Sequence, residues 1–265
     1  MINHVIPEIK VQFCNVSKAY DGLEVVHKVS FDIGEGDFIA LVGPSGCGKT
    51  TIMNMLAGFT KPSAGEILLQ GRTVDGPGPD RGVMFQEYGV FPWLNVEKNI
   101  RFGLELSIRR HMSAAEKNNI VETYLNLMRL QDFRKAWPKH LSGGMRQRLA
   151  LARAYAANPH FILMDEPFGA LDEQTRSDMH ELLLTIMQAE RKTALLITHS
   201  VDEAIYLSNR VLVVSARPSR IVEAIDVPFD FPRTRDLLDT PEFIKLRRHL
   251  RDLVMEQYAD QQALG

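Results

Sequence analysis

Gly43-Pro44-Ser45-Gly46-Cys47-Gly48-Lys49-Thr50 fits the phosphate-binding pattern G-x-x-x-x-G-K-[ST] without exception. It follows the apolar run Phe38-Ile39-Ala40-Leu41-Val42. A strand, a glycine-rich turn and a helix start give the pattern its physical meaning. Glycines let the backbone curl so that successive N–H groups point inward at phosphate oxygens. The helix N-terminus near Lys49 adds partial positive charge. In that arrangement Lys49 sits on the β- and γ-phosphates and the Thr50 hydroxyl binds Mg²⁺. Residues Gly43 to Thr51 are therefore the candidate nucleotide-binding stretch. A glycine turn in an unrelated α/β protein is the other reading, and the strand in front argues against it.

A second group of reactive residues closes another apolar run, Phe161-Ile162-Leu163-Met164-Asp165-Glu166. A buried strand delivers its C-terminal residues to the rim of the sheet, where ligands bind in open α/β folds. Asp165 is placed to reach the metal, directly or through water. Glu166 is placed to polarise the water that attacks the γ-phosphate. Read alone, the pair also fits an acidic turn after any strand. A third signal is Leu141-Ser142-Gly143-Gly144-Met145-Arg146-Gln147-Arg148. Its glycines precede a run of helix formers, so Ser142, Gly143 and Gly144 open another helix N-terminus able to hold an anion. An isolated Ser-Gly-Gly is a flexible turn; the Gln-Arg and helix that follow lift this one above it. Two anion-binding helix starts with one nucleotide loop imply that each completes a site elsewhere.

The elements that must position these residues follow from turn signals and periodicity. The chain has 265 residues, 45% hydrophobic and 24% charged, with 31 basic and 33 acidic side chains for a net charge of −2. Such a chain buries a sizeable core and is not built to coat nucleic acid. No apolar run approaches the ~18–20 residues that span a bilayer. The N-terminus lacks the basic-then-apolar layout of a signal peptide, and two cysteines, Cys14 and Cys47, make no disulfide framework. The expectation is a soluble cytoplasmic protein. Residues 11–42 read as short strands broken at Asp21-Gly22 and Gly34-Glu35-Gly36, and Gly65–Leu69 and Gly82–Phe85 as two more. From about Tyr88 to Pro159 the pattern is helical, with Ser113 as an N-cap and a stripe of Ile120, Tyr124, Leu127 and Met128. Strands return at Phe161–Met164 and Ala194–Ile197, with an amphipathic helix of Met179, Leu182, Leu183 and Ile186 between them. Thr240-Pro241 starts a last helix whose stripe is Phe243, Leu246, Leu250 and Leu253. That stripe either packs on the domain or binds a partner, and packing is the simpler use.

With these segments in order from about residue 10 to 225, the chain resembles the ATP-binding cassette family. The resemblance implies an α/β fold: a P-loop NTPase (RecA-like) core with an N-terminal antiparallel β subdomain and an inserted α-helical subdomain. It divides a single domain, 1–265, into a core of 1–87 and 160–225, helices over about 88–159 and a tail over 226–265. It implies an ATPase using ATP and Mg²⁺, with catalytic roles for Glu166, His199 and Lys49. Tyr20 looks like the aromatic that stacks on adenine; ordinary strand packing is its alternative. Gln86 looks like the glutamine that completes a Mg²⁺ shell with Thr50 and Asp165, and a plain surface glutamine is the alternative. Gly169-Ala170-Leu171-Asp172 looks like the loop that crosses to a second subunit, and His199 like the histidine that contacts the γ-phosphate. Two such cassettes pack head to tail, so Ser142, Gly143 and Gly144 of one copy close over ATP on the other. Met145 stands where many members carry glutamine, and Gly169 replaces a frequent serine. Cys47, close to Lys49 and a helix start, reads as a reactive thiolate that alkylation would block; being merely small enough to fit is the other reading.

The segment Glu87 to Val96 is aromatic-rich. It is either insert core or the docking surface for a membrane permease, with Tyr88, Phe91 and Trp93 as contacts. The tail from Val227 to the Pro241-Glu242-Phe243 helix looks like that of the nitrate, sulfonate and taurine importer subfamily. The stretch beyond residue 225 is too short for the regulatory domain of sugar-importer cassettes. The expectation is an importer subunit at the cytoplasmic face of a bacterial inner membrane. It would be held there through its permease and served indirectly by a solute-binding protein, with no nucleic acid partner. A lipid or peptide exporter subunit and a cassette acting on nucleic acid are the alternatives, and the solute is not readable from this chain.

Overall fold

A computed structural model describes residues 9–85, 89–106, 111–190 and 192–263. They form two compact units: one from the chain up to Gly78 with the stretch from Met187 onward, the other Pro79–Ile186.

In the first unit, β1 (Ile9–Tyr20) and β2 (Leu23–Gly34) form an antiparallel hairpin about Asp21-Gly22. β1 also pairs with β4 (Ala64–Leu69), which carries the short β5 (Arg72–Thr73), giving an antiparallel sheet in the order β2-β1-β4-β5. The expected antiparallel subdomain is this sheet. Along β2, Val25, Val26, Val29 and Ile33 are buried while Lys28, Ser30 and Asp32 are exposed, with register shifts against β1 interrupting a strict alternation. β3 (Phe38–Val42) is buried at every residue. It pairs in parallel with β8 (Thr193–Ile197) and β9 (Arg210–Val214), and β10 (Ile221–Asp226) adds antiparallel to β9. Strands buried on both faces have no need of alternation, so they read as unbroken apolar runs.

Helices α1 (Lys49–Ala57), α6 (Val201–Leu207) and α7 (Pro241–Ala263) complete the unit. Phe243, Leu250 and Val254 of α7 join Ala40, Val42, Ile205, Val211 and Val213 in one apolar cluster, with Leu246 and Leu253 against it. Each fully buried side chain of this kind contributes about 1.5–3 kcal/mol. The stripe is therefore consumed in packing the tail on its own unit. The N–H of Phe243 donates to Thr240 Oγ1 at 3.3 Å, the cap that Thr240-Pro241 foretells. Upstream, buried Arg233 donates to the carbonyls of Ile205, Tyr206, Ser208 and Phe229. It thereby serves the C-terminal carbonyls of α6 that the helix cannot pair internally. Burial lowers its pKa to about 10, with Tyr206 and Asp230 acting against that.

In the second unit, β6 (Arg81–Met84) and β7 (Phe161–Asp165) are parallel. Helices α2 (Val96–Arg101), α3 (Ala114–Leu127) and α4 (Gly143–Ala156) pack on one another, and α5 (Glu173–Glu190) follows β7. Ser113 closes a capping box with Glu116 at the start of α3. The buried face of α3 is Val121, Tyr124, Leu125 and Met128, with Ile120 and Leu127 only half-buried. The apolar positions of this helix admit two overlapping stripes, and packing against α2 and α4 selects the second.

Candidate functional site

The loop between β3 and α1 has the chemistry of an anion cradle. Gly43, Pro44, Cys47 and Lys49 are buried while Ser45, Gly46 and Thr50 face outward. Lys49, 6% exposed, donates from Nζ to the carbonyls of Gly43 at 2.8 Å and Pro44 at 2.7 Å. A desolvated ammonium held by neutral carbonyls is electrostatically incomplete. Helices α2, α3, α4 and α6 have side-chain N-caps from Asn95, Ser113, Ser142 and Ser200. By contrast α1 has Gly48 at its cap, no side-chain bond there and no acidic residue in its first turn. Its leading N–H groups and Lys49 are thus a donor set that fits a phosphate chain. Gly48 is held at φ 120°, and a Cβ there would lie 2.9 Å from Ser219 Oγ and 3.0 Å from Val25 Cγ1. Backbone and space both demand glycine at this position.

Two other expected residues lie in the same unit. Tyr20 ends β1 with 44% of its surface exposed and Lys18 Nζ 4.9 Å from its ring centroid. It is an open aromatic face rather than a packed core residue. His199 is exposed directly after β8, between Thr198 and Ser200, the N-cap of α6. Thr50, at the start of α1, is exposed.

The second unit holds the carboxylates and the serine-glycine helix start. Asp165 is buried at the end of β7 and Glu166 is half-buried one step beyond. Glu166 has φ 45°, a left-handed backbone that costs a non-glycine residue about 1–2 kcal/mol. Its carbonyl accepts from the N–H of Gly169 at 3.3 Å, which closes the turn after the strand. Ser142 is exposed and caps α4, its Oγ accepting from the N–H of Met145 at 3.2 Å. Asp172 does the same for α5: its carboxylate accepts from the N–H of Thr175 at 2.9 Å and from Thr175 Oγ1 at 2.8 Å. Those bonds hold its pKa below the ordinary aspartate value. The two helix starts meet, since a Cβ on Gly144 would fall 2.6 Å from Thr175 Cγ2. Gln86 and Tyr88 lie outside the described residues.

Hard oxygen donors, the Thr50 hydroxyl and the Asp165 carboxylate, suit Mg²⁺. Among the described residues no group of three or more His, Cys, Asp or Glu could hold a metal by itself.

Of the aromatic segment, Phe91 packs 5.3 Å from Trp93 and 4.5 Å from Phe102, with the Arg153 guanidinium 4.7 Å from its ring centroid. Trp93 is 66% exposed and Phe102 41%. Asn99, fully buried, shapes this loop. It accepts from the N–H of Phe91 at 2.8 Å and donates to the carbonyls of Phe91, Leu94 and Asn95. Sequence reasoning passed over Asn99, Phe102 and Arg153. The sequence offered no strong signal for the first: an asparagine four residues after Asn95 reads as an ordinary polar helix residue until its burial is seen.

The thiolate reading of Cys47 is corrected. Its side chain is fully buried, and burial pushes the thiol pKa up against the opposing pull of Lys49, whose Nζ is 3.9 Å away. Desolvation wins because the side chain is wholly removed from water.

The family description "ABC transporter" matches residues 26–169. An ATP-binding protein of Brucella abortus (strain 2308) is 49% identical over 256 residues, covering 96% of this chain and 97% of that protein. The nitrate import ATP-binding protein NrtD of Synechococcus elongatus is 38% identical, covering 88% and 86%. The aliphatic sulfonates import ATP-binding protein SsuB of Bacillus cereus is 41% identical, covering 83% and 85%. Among solved structures, the dimeric bacterial ABC transporter cassette MJ0796 is 29% identical with a TM-score of 0.73, covering 83% of this chain and all of that one. Its post-hydrolysis state with ADP and Pi gives a TM-score of 0.72 at 29% identity over the same shares of the two chains. The cradle, the strand-borne carboxylates and these likenesses agree: the chain belongs to the ABC transporter family and is one of its P-loop ATPase cassettes.

Proposed function

We propose that this chain is the ATP-hydrolysing subunit of an importer for a small anion such as nitrate, an aliphatic sulfonate or taurine. The observation that carries this reading is the likeness to NrtD and SsuB along most of the chain. Among the described residues no helix is long and apolar enough to cross a membrane; in this reading the translocation path is supplied by a separate permease. In this reading the chain works at the cytoplasmic face of the bacterial plasma membrane.

The residues divide the work. Residues Gly43 to Thr51 hold the phosphates through backbone N–H groups, and Lys49 exchanges its two carbonyl partners for β- and γ-phosphate oxygens. Tyr20 offers its open face to the adenine. Thr50, Gln86 and Asp165 would hold Mg²⁺, which would supply neutralisation of the charge that develops on the phosphates. Glu166 orients the attacking water and takes its proton. His199 donates to the γ-phosphate oxygens. Ser142, Gly143 and Gly144 of one copy, with Asp172 beside them, close over the nucleotide of a second copy. Each charge-assisted contact so made contributes about 1.5–3 kcal/mol. Loss of the γ-phosphate removes several at once and reopens the pair. Tyr88, Phe91 and Trp93 face the permease, with a solute-binding protein acting on the far side.

The test is reconstitution with the cognate permease and solute-binding protein, measuring ATPase rate against added solute. Stimulation by nitrate, a sulfonate or taurine is expected. A complex that hydrolyses ATP yet ignores all three, while responding to a lipid or peptide, overturns the importer reading.

A further inference from the structure

The outer side of the phosphate loop is gripped at two consecutive carbonyls. Arg217 donates from Nη2 to the carbonyl of Gly46 at 2.7 Å, and Gln261 donates from Nε2 to the carbonyl of Ser45 at 3.1 Å. Arg217 belongs to the hairpin between β9 and β10, and Gln261 to the last turns of α7. In a trans peptide the C=O and the following N–H point in opposite directions. Holding the Ser45 and Gly46 carbonyls outward therefore turns the N–H groups of Gly46 and Cys47 inward. Cys47 N–H already points back into the loop, toward the Pro44 carbonyl at 3.4 Å.

We propose that Arg217 and Gln261 are positioning residues of the phosphate loop, acting as two external clasps that preset its N–H groups for phosphate, the second supplied by the C-terminal helix. This rests on the reading of residues Gly43 to Thr51 as the ATP site.

The clasps are built differently. Arg217 stands on a rigid hairpin: Ser215 exchanges bonds with Arg220, and Ser219, fully buried, donates to the Val25 carbonyl from both N–H and Oγ. Gln261 instead reaches the loop past a cleft of about 420 Å³ between the hairpin and α7, lined by Arg217, Gln257 and Asp260 among others. The helix is anchored by Phe243, Leu250 and Val254, with Tyr258 packed on the same cluster one turn before Gln261. Gln261 itself is not among the residues of that cluster, and the thermal midpoint of its variants separates loop positioning from helix packing. A carbonyl clasp acts before and during the reaction alike, so its loss weakens nucleotide binding while leaving the chemical step intact.

The experiment measures ATP affinity, KM, kcat and thermal midpoint for the full chain and four variants. Arg217→Ala and Gln261→Ala are each expected to weaken ATP binding and raise KM by about two- to tenfold, the range of a single hydrogen bond. Both should keep kcat and the melting midpoint near the parent values. Arg217→Lys, which can still donate to one carbonyl, should recover most of the affinity. The proposal is overturned if both alanine variants bind ATP like the parent, or if Arg217→Lys is as impaired as Arg217→Ala with a lowered midpoint. Lys49→Ala separates the two levels. It should lose ATP binding; parent-like binding by that variant would overturn the nucleotide site itself, and the clasps with it.

Discussion

A thiol beside an ammonium at a helix start feels two opposing influences. At Cys47 the Lys49 charge favours the thiolate, while removal from water favours the neutral thiol, and the second is larger. Because the folded state raises this pKa, the stability that the neutral thiol contributes is present below the ordinary thiol range. It is lost as pH rises through the raised value. Half-buried Cys14 is the contrast within the same chain. At neutral pH an alkylating reagent should label Cys14 well before Cys47, and both together once urea unfolds the chain. Rapid labelling of Cys47 in the native protein would contradict the burial argument. The charged neighbour of Cys47 was legible in the sequence but its depth was not, because burial depends on how the whole unit packs around the loop. Lys49 was legible for the opposite reason: its partners, the carbonyls of Gly43 and Pro44, lie within the same short loop.

At the scale of elements, the starts of α4 and α5 act as one packed joint. Thr175 cannot swing away from Gly144 because Asp172 holds both its N–H and its hydroxyl. Gly144→Ala should therefore force the joint apart and reduce ATPase activity several-fold. Thr175→Ser, which deletes the interfering methyl and keeps the hydroxyl, should restore much of that loss in the double variant. A double variant no better than Gly144→Ala would show that the joint is not the cause. Hairpins, caps and strand runs were readable at this scale because Asp21-Gly22, the Ser113–Glu116 box and Thr240-Pro241 encode them within a few residues. The buried face of α3 was not, since two stripes satisfy the same periodicity and only its neighbours α2 and α4 decide between them.

For the molecule as a whole, the proposed cycle depends on two copies sharing nucleotide. Glu166→Gln should slow hydrolysis by about 10²–10⁴-fold. With turnover blocked, ATP and Mg²⁺ should drive the chain from its 30.0 kDa monomer to twice that mass in size-exclusion chromatography with light scattering. A variant that stays monomeric at saturating ATP would count against the shared site, and one that hydrolyses normally would remove Glu166 from its role. The family and fold are written in short, ordered motifs and were accessible from the chain alone. The grip of Arg217 and Gln261 on the loop was not, because neither lies in a motif and both arrive from segments 171 and 216 residues away.

The twisted main chain at Glu166 has an evolutionary corollary. Asparagine or glycine would sit there with less backbone strain than glutamate. Under the role proposed above for Glu166, a library selected for heat resistance alone would be free to trade the carboxylate, and turnover with it, for a relaxed main chain.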